Sequence, residues 1–282
     1  MSQITFVGIG AIGLPMAARL AERGHAVTGV DPFEAARERA TEAGLTTAAS
    51  LPDAPEAPIV IVMVATGAQL DDLIQTAGDR LDGRLVVVMS TVGPEAMASA
   101  ASRLQARGSR VVDAPVTGGA VRAKTGELVI FASGEADAVA EASVPLSDLG
   151  TVRTVGTAPG DGQAVKVINQ HLCAVHIVAA AEALSLAERL GLDQAEVLEL
   201  VGGGAAGSWM LSDRGPRMLM DTDAPVMSQI NIFVKDSGLV ADAAAATGAQ
   251  VPLLAAARQR YLDAQAAGLG RRDDSRVIET YR

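Results

Sequence analysis

The sequence predicts an α/β fold in two parts: a doubly wound parallel sheet over residues 1–160, then an all-α domain over 161–282 that begins with one long helix. Three observations carry this expectation. Short β-branched runs alternate with helical patterns through the first half. Strand signals stop beyond Gly160. Apolar residues then recur at helical spacing from Ala164 to Leu190, and the pattern ends at Gly191.

Ile4–Val7, Ala26–Val30, Ile59–Val64, Leu85–Met89 and Arg110–Asp113 read as strands separated by amphipathic stretches, the alternation that builds a parallel sheet. Leu128–Ala132 extends the sheet, and a helical stretch follows Gly134. In the second half, helices are expected over Gln194–Val201, Asp236–Thr247 and Pro252–Ala266, with glycine punctuation at Gly202-Gly203-Gly204.

A chain of 282 residues exceeds the usual single domain, in keeping with two unequal parts. Apolar residues make up 49% but aromatics only 2%, so the core must be built from Ala, Val, Leu and Ile at close spacing. The net charge of −10, with Arg271-Arg272 followed at once by Asp273-Asp274, argues against a nucleic-acid partner. The single cysteine, Cys173, cannot form an internal disulfide, and Met1-Ser2-Gln3-Ile4-Thr5 has no signal-peptide pattern, which points to the cytoplasm. The longest apolar stretch, Cys173 to Leu186, is broken by His176, Glu182 and Ser185 and reads as a buried helix too short to span a membrane.

Gly8-Ile9-Gly10-Ala11-Ile12-Gly13 follows the first strand and opens a helix, the Rossmann context for a dinucleotide. Gly8 allows the tight turn, Gly10 lets a pyrophosphate approach, and Gly13 permits close helix–strand packing, so the helix N-terminus faces the phosphates. The second strand runs into Asp31, at about the distance where an acid meets the adenosine ribose hydroxyls. A carboxylate there repels a 2′-phosphate, so NAD is favoured over NADP. The competing reading is that Asp31 only caps the helix beginning near Pro32. Arg37 and Arg39, a turn or more later, leave room for NADP.

Three further segments go beyond a generic dinucleotide fold. Phe6–Ala17, with Leu14-Pro15-Met16 after the glycines, is one; Asp113-Ala114-Pro115-Val116-Thr117-Gly118-Gly119, continuing to Ala123, Gly126 and Leu128, is the second; Gly160-Asp161-Gly162-Gln163-Ala164-Val165-Lys166-Val167-Ile168-Asn169-Gln170 is the third. Together they resemble the glycine motif, substrate loop and catalytic helix of the β-hydroxyacid dehydrogenase family, which includes 3-hydroxyisobutyrate, 6-phosphogluconate and tartronate semialdehyde enzymes. The resemblance runs nearly end to end.

It implies that Gly8, Gly10, Ala11, Ile12, Gly13 and Asp31 hold the cofactor, and that Val64, Thr66 and Ser90-Thr91 flank its ribose and nicotinamide, Thr91 foremost. It implies that Thr117, Gly118 and Gly119 bind the substrate. Backbone N–H groups of two successive glycines can hold a carboxylate, and the Thr117 hydroxyl adds a hydrogen bond. The family more often has serine there, and the extra methyl of Thr117 bears on substrate size. Alone, Thr117-Gly118-Gly119 would be a tight turn.

By the same resemblance Lys166 is the general acid/base, taking the substrate hydroxyl proton as hydride leaves for the nicotinamide. Such a base needs a pKa lowered from about 10.4 toward neutrality. A snorkelling helix lysine is the alternative. The amide that holds the substrate or the lysine stands at i+3 or i+4, so Asn169 and Gln170 both qualify. Phe233-Val234-Lys235-Asp236-Ser237-Gly238-Leu239 resembles the family's distal K-D motif, in which Lys235 reaches the cofactor; a charge pair at a helix N-terminus is the alternative. His171 and His176 lack metal-site spacing, and Cys173 reads as a small core residue.

Gln170-His171-Leu172 through Ala183, Ala206-Gly207-Ser208-Trp209-Met210 and the closing Asp274-Ser275 look most like the L-threonate dehydrogenase subgroup. That implies oxidation of a four-carbon sugar acid to an oxo acid, with Trp209 lining the pocket or serving in interdomain packing. Expected alternatives are 3-hydroxyisobutyrate, the tartronate semialdehyde/glycerate pair, or an NAD-binding oligomerisation protein without turnover. Imine-reducing relatives share the architecture but typically lack the lysine. The apolar second half suggests a homodimer or homotetramer.

Overall fold

The computed structural model describes residues 1–221 and 224–282. They form two compact units, 1–166 and 167–282. In the first unit the elements follow as β1 (Gln3–Val7), α1 (Gly13–Glu22), β2 (Ala26–Val30), α2 (Glu34–Glu42), β3 (Thr46–Ala48), β4 (Ile59–Val62), α3 (Gly67–Thr76), β5 (Leu85–Val88), α4 (Pro94–Gln105) and β6 (Arg110–Asp113). There follow β7 (Val116–Thr117), α5 (Gly119–Thr125), β8 (Leu128–Gly134), α6 (Ala136–Leu146) and β9 (Gly150–Gly156). Helix α7 (Asp161–Arg189) starts in this unit and continues into the second. There α8 (Gln194–Gly202), α9 (Trp209–Met218), α10 (Ile230–Thr247), α11 (Pro252–Ala266) and a 3₁₀ helix (Asp274–Tyr281) complete the chain.

The sheet order is β3-β2-β1-β4-β5-β6-β8-β7, with β9 beside β8. Strands β1 to β6 are all parallel; β8 runs antiparallel to β6 and β7 and parallel to β9. This is the doubly wound order whose direction reverses between β1 and β4. Ile59-Val60-Ile61-Val62 and Leu85-Val86-Val87-Val88 are buried throughout, as central parallel strands covered on both faces require. Alternate residues feed separate cores: Phe6 and Ile61 pack with Met16 and Leu20, whereas Val7 and Val62 pack with Leu70 and Met97.

The second unit is helical, as expected, and its core is rich in alanine. Ala174, Ala181, Ala257 and Ala264 pack with Ile177, Leu184, Phe233 and Tyr261. Phe233 and Tyr261 stack with centroids 5.2 Å apart, and the Tyr261 hydroxyl donates to the Ala174 carbonyl at 3.0 Å. Helix α7, at 29 residues, passes the length and composition test for crossing a bilayer, yet the stretch expected to be a buried helix lies within it. Its Val167, Ala174, Ile177, Val178, Ala181 and Leu184 are instead packed in the unit's core.

Several elements differ from expectation for identifiable reasons. Strand β9 was hidden because Thr151, Arg153 and Thr154 are exposed, and pairing to β8 rather than apolar alternation defines it. Helix α9 contains Gly215 and Pro216, so its sequence argues against a helix; the Ser208 cap and burial of Leu211, Arg214 and Met218 hold it. Helix α10 starts at Ile230, ahead of the expected Asp236, with the Ile230 and Asn231 N–H groups donating to the Arg272 and Gly270 carbonyls.

A polar strap crosses the first unit. Asp148, just beyond α6, accepts from Arg23 at 2.8 Å and lies 3.0 Å from His25 Nε2, while its carbonyl accepts from Arg19 at 2.5 Å. The Arg23 hydrogen bond, outweighing burial, holds the Asp148 carboxyl below its usual value near 3.8. A depressed carboxyl contributes stability above its unfolded pKa and loses it as pH falls through the folded value. The thermal midpoint of the native chain is therefore expected to fall more steeply below about pH 4 than that of Asp148→Asn. Parallel thermal melts from pH 7 to 3 check this.

Candidate active site

Because β1, β2, β4, β5 and β6 are parallel, the residues that follow them share one edge of the sheet. Gly8 follows β1, Asp31 follows β2, Val64 and Thr66 follow β4, Ser90-Thr91 follows β5, and Asp113 ends β6. In doubly wound sheets that edge, at the switch between β1 and β4, is where ligands bind.

The glycine turn is shaped by three separate demands. Gly8 has φ +90°, and a methyl group there would run into the Met63 carbonyl. At Gly13 a methyl would collide with the Gly8 carbonyl, so the start of α1 lies against β1. Gly10 faces open space, with nothing within 4 Å of the same position. No side chain caps α1 at Ile12 and its first turn carries no acid, leaving N–H groups of the Ala11-Ile12-Gly13 turn to meet an anion. Open room at Gly10 beside an uncapped helix start fits a dinucleotide pyrophosphate. Gly10→Val is accordingly expected to weaken NADH binding at least tenfold with a nearly unchanged melting temperature. Gly13→Ala instead lowers the melting temperature. Fluorescence titration beside thermal melts separates the two effects.

Asp31 is 7% exposed. Its Oδ2 accepts from Ile9 N at 3.2 Å and its Oδ1 from Phe33 N at 3.0 Å, so it ties the glycine turn to the turn before α2. Helix α2 begins at Glu34 with Phe33 in the cap position. Arg37 folds back over this corner, donating to the Asp31 and Pro32 carbonyls at 2.9 and 2.8 Å. Thr66 caps α3: its hydroxyl oxygen accepts from Gln69 N at 3.2 Å, and Gln69 Oε1 accepts in return from Thr66 N at 3.3 Å.

Thr117 ends the short strand β7, paired to Val129. Gly118 and Gly119 both have positive φ, +133° and +70°, and they start α5. Two consecutive positive-φ residues need glycine, and successive backbone N–H groups in such turns can bind an anion.

Lys166 stands in the second turn of α7 and is only 6% exposed. Asn169 and Gln170 follow on the same helix face. Asn169 Nδ2 donates to Gln170 Oε1 at 2.8 Å, and Gln170 Nε2 donates to Asp236 Oδ2. Lys235 Nζ lies 2.6 Å from Asp236 Oδ1. The second unit thus joins Asn169, Gln170 and Lys235 through Asp236, and Lys235 sits in the second turn of α10 rather than at its start. Trp209, at the start of α9, is half exposed, with the Arg214 guanidinium 5.5 Å from its ring centroid.

Two groups escaped notice in the sequence as more than motif letters. Asp113 is fully buried and accepts from Gln163 Nε2 at 2.7 Å and from the Gly160 and Gln163 N–H groups at 2.9 Å. Burial pushes its carboxyl pKa up, against the pull of the Gln163 and Gly160 hydrogen bonds. The signal available was an acid closing strand β6 after the apolar pair Val111-Val112. Asp236 is the other, visible as the partner letter in the K-D pair.

Comparison with known proteins accords with this geometry. Residues 3–157 match the family described as the NAD binding domain of 6-phosphogluconate dehydrogenase. Residues 160–281 match the family described as NAD-binding of NADP-dependent 3-hydroxyisobutyrate dehydrogenase. The L-threonate dehydrogenase of Cupriavidus necator is 36% identical over 284 residues, covering 99% of this chain and 95% of that protein. A 3-hydroxyisobutyrate dehydrogenase from Salmonella typhimurium superposes with a TM-score of 0.91 at 33% identity, covering 99% of this chain and 100% of that one. The Mycobacterium tuberculosis 3-hydroxyisobutyrate dehydrogenase, solved with L-serine, gives 0.85 at 31% identity, covering 100% of this chain and 99% of that one. With both halves matched and full-length relatives above 30% identity, the chain belongs to the 3-hydroxyisobutyrate dehydrogenase-like β-hydroxyacid dehydrogenase family of NAD(P)-binding oxidoreductases that act on CH–OH groups.

Proposed function

We propose that this chain is an NAD-dependent dehydrogenase that oxidises L-threonate or a related four-carbon sugar acid to the oxo acid, with Lys166 as general acid/base. The observation that carries it is a lysine only 6% exposed, in the second turn of the helix that follows the Rossmann sheet. The full-length likeness to an L-threonate dehydrogenase supports the substrate class.

Gly8, Gly10, Ala11, Ile12, Gly13, Asp31, Val64, Thr66 and Thr91 are the residues that would hold the dinucleotide. When bound, the dinucleotide would supply the acceptor for the hydride that leaves the carbinol carbon. Lys166 Nζ takes the hydroxyl proton as the C=O bond forms, and returns it when the reaction runs as a reduction. Thr117, Gly118 and Gly119 bind the substrate carboxylate. Asn169, Gln170, Trp209 and Lys235 are the second unit's candidates for holding substrate or cofactor. The Asp31 carboxylate favours NAD, whereas Arg37 at the same corner brings a cation that a 2′-phosphate could use.

A 3-hydroxyisobutyrate substrate is the second reading, favoured by the likeness to two solved enzymes of that name. The protein is read as cytoplasmic and as a homodimer or homotetramer. Ile168, Leu172, Leu186 and Leu190 of α7 and its end, together with Leu192 and Leu200, are exposed, an apolar surface that a second copy would cover.

A screen with NAD and NADP over L-threonate, D-threonate, the erythronates, 3-hydroxyisobutyrate, D-glycerate and 6-phosphogluconate tests the proposal. NAD reduction fastest with a four-carbon sugar acid is expected. Faster turnover of 3-hydroxyisobutyrate moves the substrate, and silence throughout with intact NADH binding overturns the enzymatic reading.

A further inference from the structure

The buried pair Asp113–Gln163 fastens three segments that carry proposed reaction residues. Gln163 Nε2 donates to Asp113 Oδ1 at 2.7 Å and to the Ser90 carbonyl at 3.0 Å. Gln163 Oε1 accepts from the Val92 and Gly93 N–H groups at 2.9 and 3.1 Å. Every hydrogen-bonding site of this amide is therefore used. Its partners lie on both sides of Thr91, so one side chain grips the loop on which Thr91 sits.

Asp113 completes the arrangement. Its Oδ2 accepts from the Gly160 and Gln163 N–H groups, both at 2.9 Å, and from Ser133 Oγ at 3.4 Å. Ser133 Oγ in turn accepts from Gly162 N at 2.9 Å. These are N–H groups of the first turn of α7, which have no partner within the helix. A methyl group at Gly162 would press on the Phe131 carbonyl at 2.5 Å and on Asp113 Oδ2 at 2.9 Å, so the helix start lies tight against the strand ends. Asp113 ends β6, and Thr117 follows four residues later. Lys166 follows Gln163 by three residues, almost one helical turn.

We infer that Asp113 and Gln163 are positioning residues: through one water-excluded hydrogen-bond cluster they fix the Lys166 helix in register with the Thr91 loop and the Thr117 strand. This rests on the reading of Lys166 as the base. Asp113 and Gln163, with Ser133, are 0% exposed and act on the reaction only through what they hold. A displacement on the order of 1 Å at a reacting group costs about 10²-fold in rate. Loss of the clamp should therefore slow the chemical step far more than it weakens ground-state binding at Thr91 and Thr117.

The test compares Gln163→Met, Gln163→Glu, the double variant Asp113→Asn with Gln163→Glu, and Lys166→Ala on the full chain. Turnover is measured with L-threonate deuterated at the oxidised carbon and with its protonated form. If 3-hydroxyisobutyrate is the faster substrate, its deuterated form serves instead. Gln163→Met is expected to lower kcat by about 10²-fold, leave KM and NADH affinity within about threefold, and raise the deuterium isotope effect on kcat. Gln163→Glu sets two carboxylates face to face and should be worse. The double variant restores a donor amide opposite a carboxylate but still sets a glutamate oxygen against the Ser90 carbonyl, and should recover only part of that further loss. If Gln163→Glu fails to fold, the Gln163→Met isotope effect decides alone. Wild-type kcat and isotope effect in Gln163→Met, with Lys166→Ala inactive, would overturn the positioning role while keeping the base. Near-normal turnover in Lys166→Ala would overturn both.

Discussion

Lys166→Ala is expected to lower kcat and kcat/KM together by about 10²–10⁴-fold, the usual contribution of a general acid/base. NADH binding, read from nicotinamide fluorescence, should stay within a few-fold. A group that acts only in the transition state lowers both kinetic constants equally, whereas one that merely holds the substrate raises KM. The expectation rests on placement. A lysine that is 6% exposed in the second turn of α7 is not the snorkelling surface residue that its composition-level alternative describes. The loss belongs to chemistry and not to folding if the variant melts within a few degrees of the native chain. Turnover within about threefold of native would remove Lys166 from the mechanism and leave proton transfer to another group.

The parts of this molecule that were legible in the sequence are those where one local rule decides. Ile59-Val60-Ile61-Val62 and Leu85-Val86-Val87-Val88 can be little else than buried parallel strands, and Gly8 and Gly13 each answer a different steric demand where β1 turns into α1. What stayed hidden depends on partners distant in sequence. Strand β9 exists because β8 offers it an edge. Helix α9, with Gly215 and Pro216 inside it, persists because its buried face is held by the C-terminal 3₁₀ helix. Asp113 and Gln163, fifty positions apart, reveal their meaning only when the sheet brings the end of β6 to the start of α7. Asp31 is a mixed case. Its position after β2 was readable, but its carboxylate accepts from Phe33 N without capping α2, and through Ile9 N it fastens the glycine turn, which no local rule foretold.

The largest expected loss of stability lies in the second unit, at Arg214. Its Nε and Nη2 donate to Asp274 Oδ1 and Oδ2 at 3.1 and 2.9 Å, a two-pronged pair joining α9 to the 3₁₀ helix. Asp274 is fully buried, and Asp213 adds a second carboxylate 2.6 Å from Nη1. Burial works to lower the guanidinium pKa, but the Asp274 and Asp213 carboxylates outweigh it and hold it above its usual range. Burial pushes the Asp274 carboxyl up despite the opposing pull of Arg214. Removing one partner of such a pair strands the other as a desolvated charge, at a cost of about 3–5 kcal/mol. Arg214→Met keeps the volume of the aliphatic stem, so its loss should come mainly from the abandoned carboxylate. Arg214→Met with Asp274→Leu removes both charges and should recover most of it. The sign of the pH dependence follows from the raised Asp274 value. A carboxyl whose folded pKa lies above its unfolded one contributes stability that is complete below the unfolded value and lost as pH rises through the folded one. Without Arg214 that value rises further, so the deficit of Arg214→Met against the native chain should be largest near neutrality and shrink on acidification toward pH 4. Urea denaturation at pH 7 and pH 4.5 measures it, and a deficit unchanged between the two pH values would mean that Asp274 is already protonated beside its arginine.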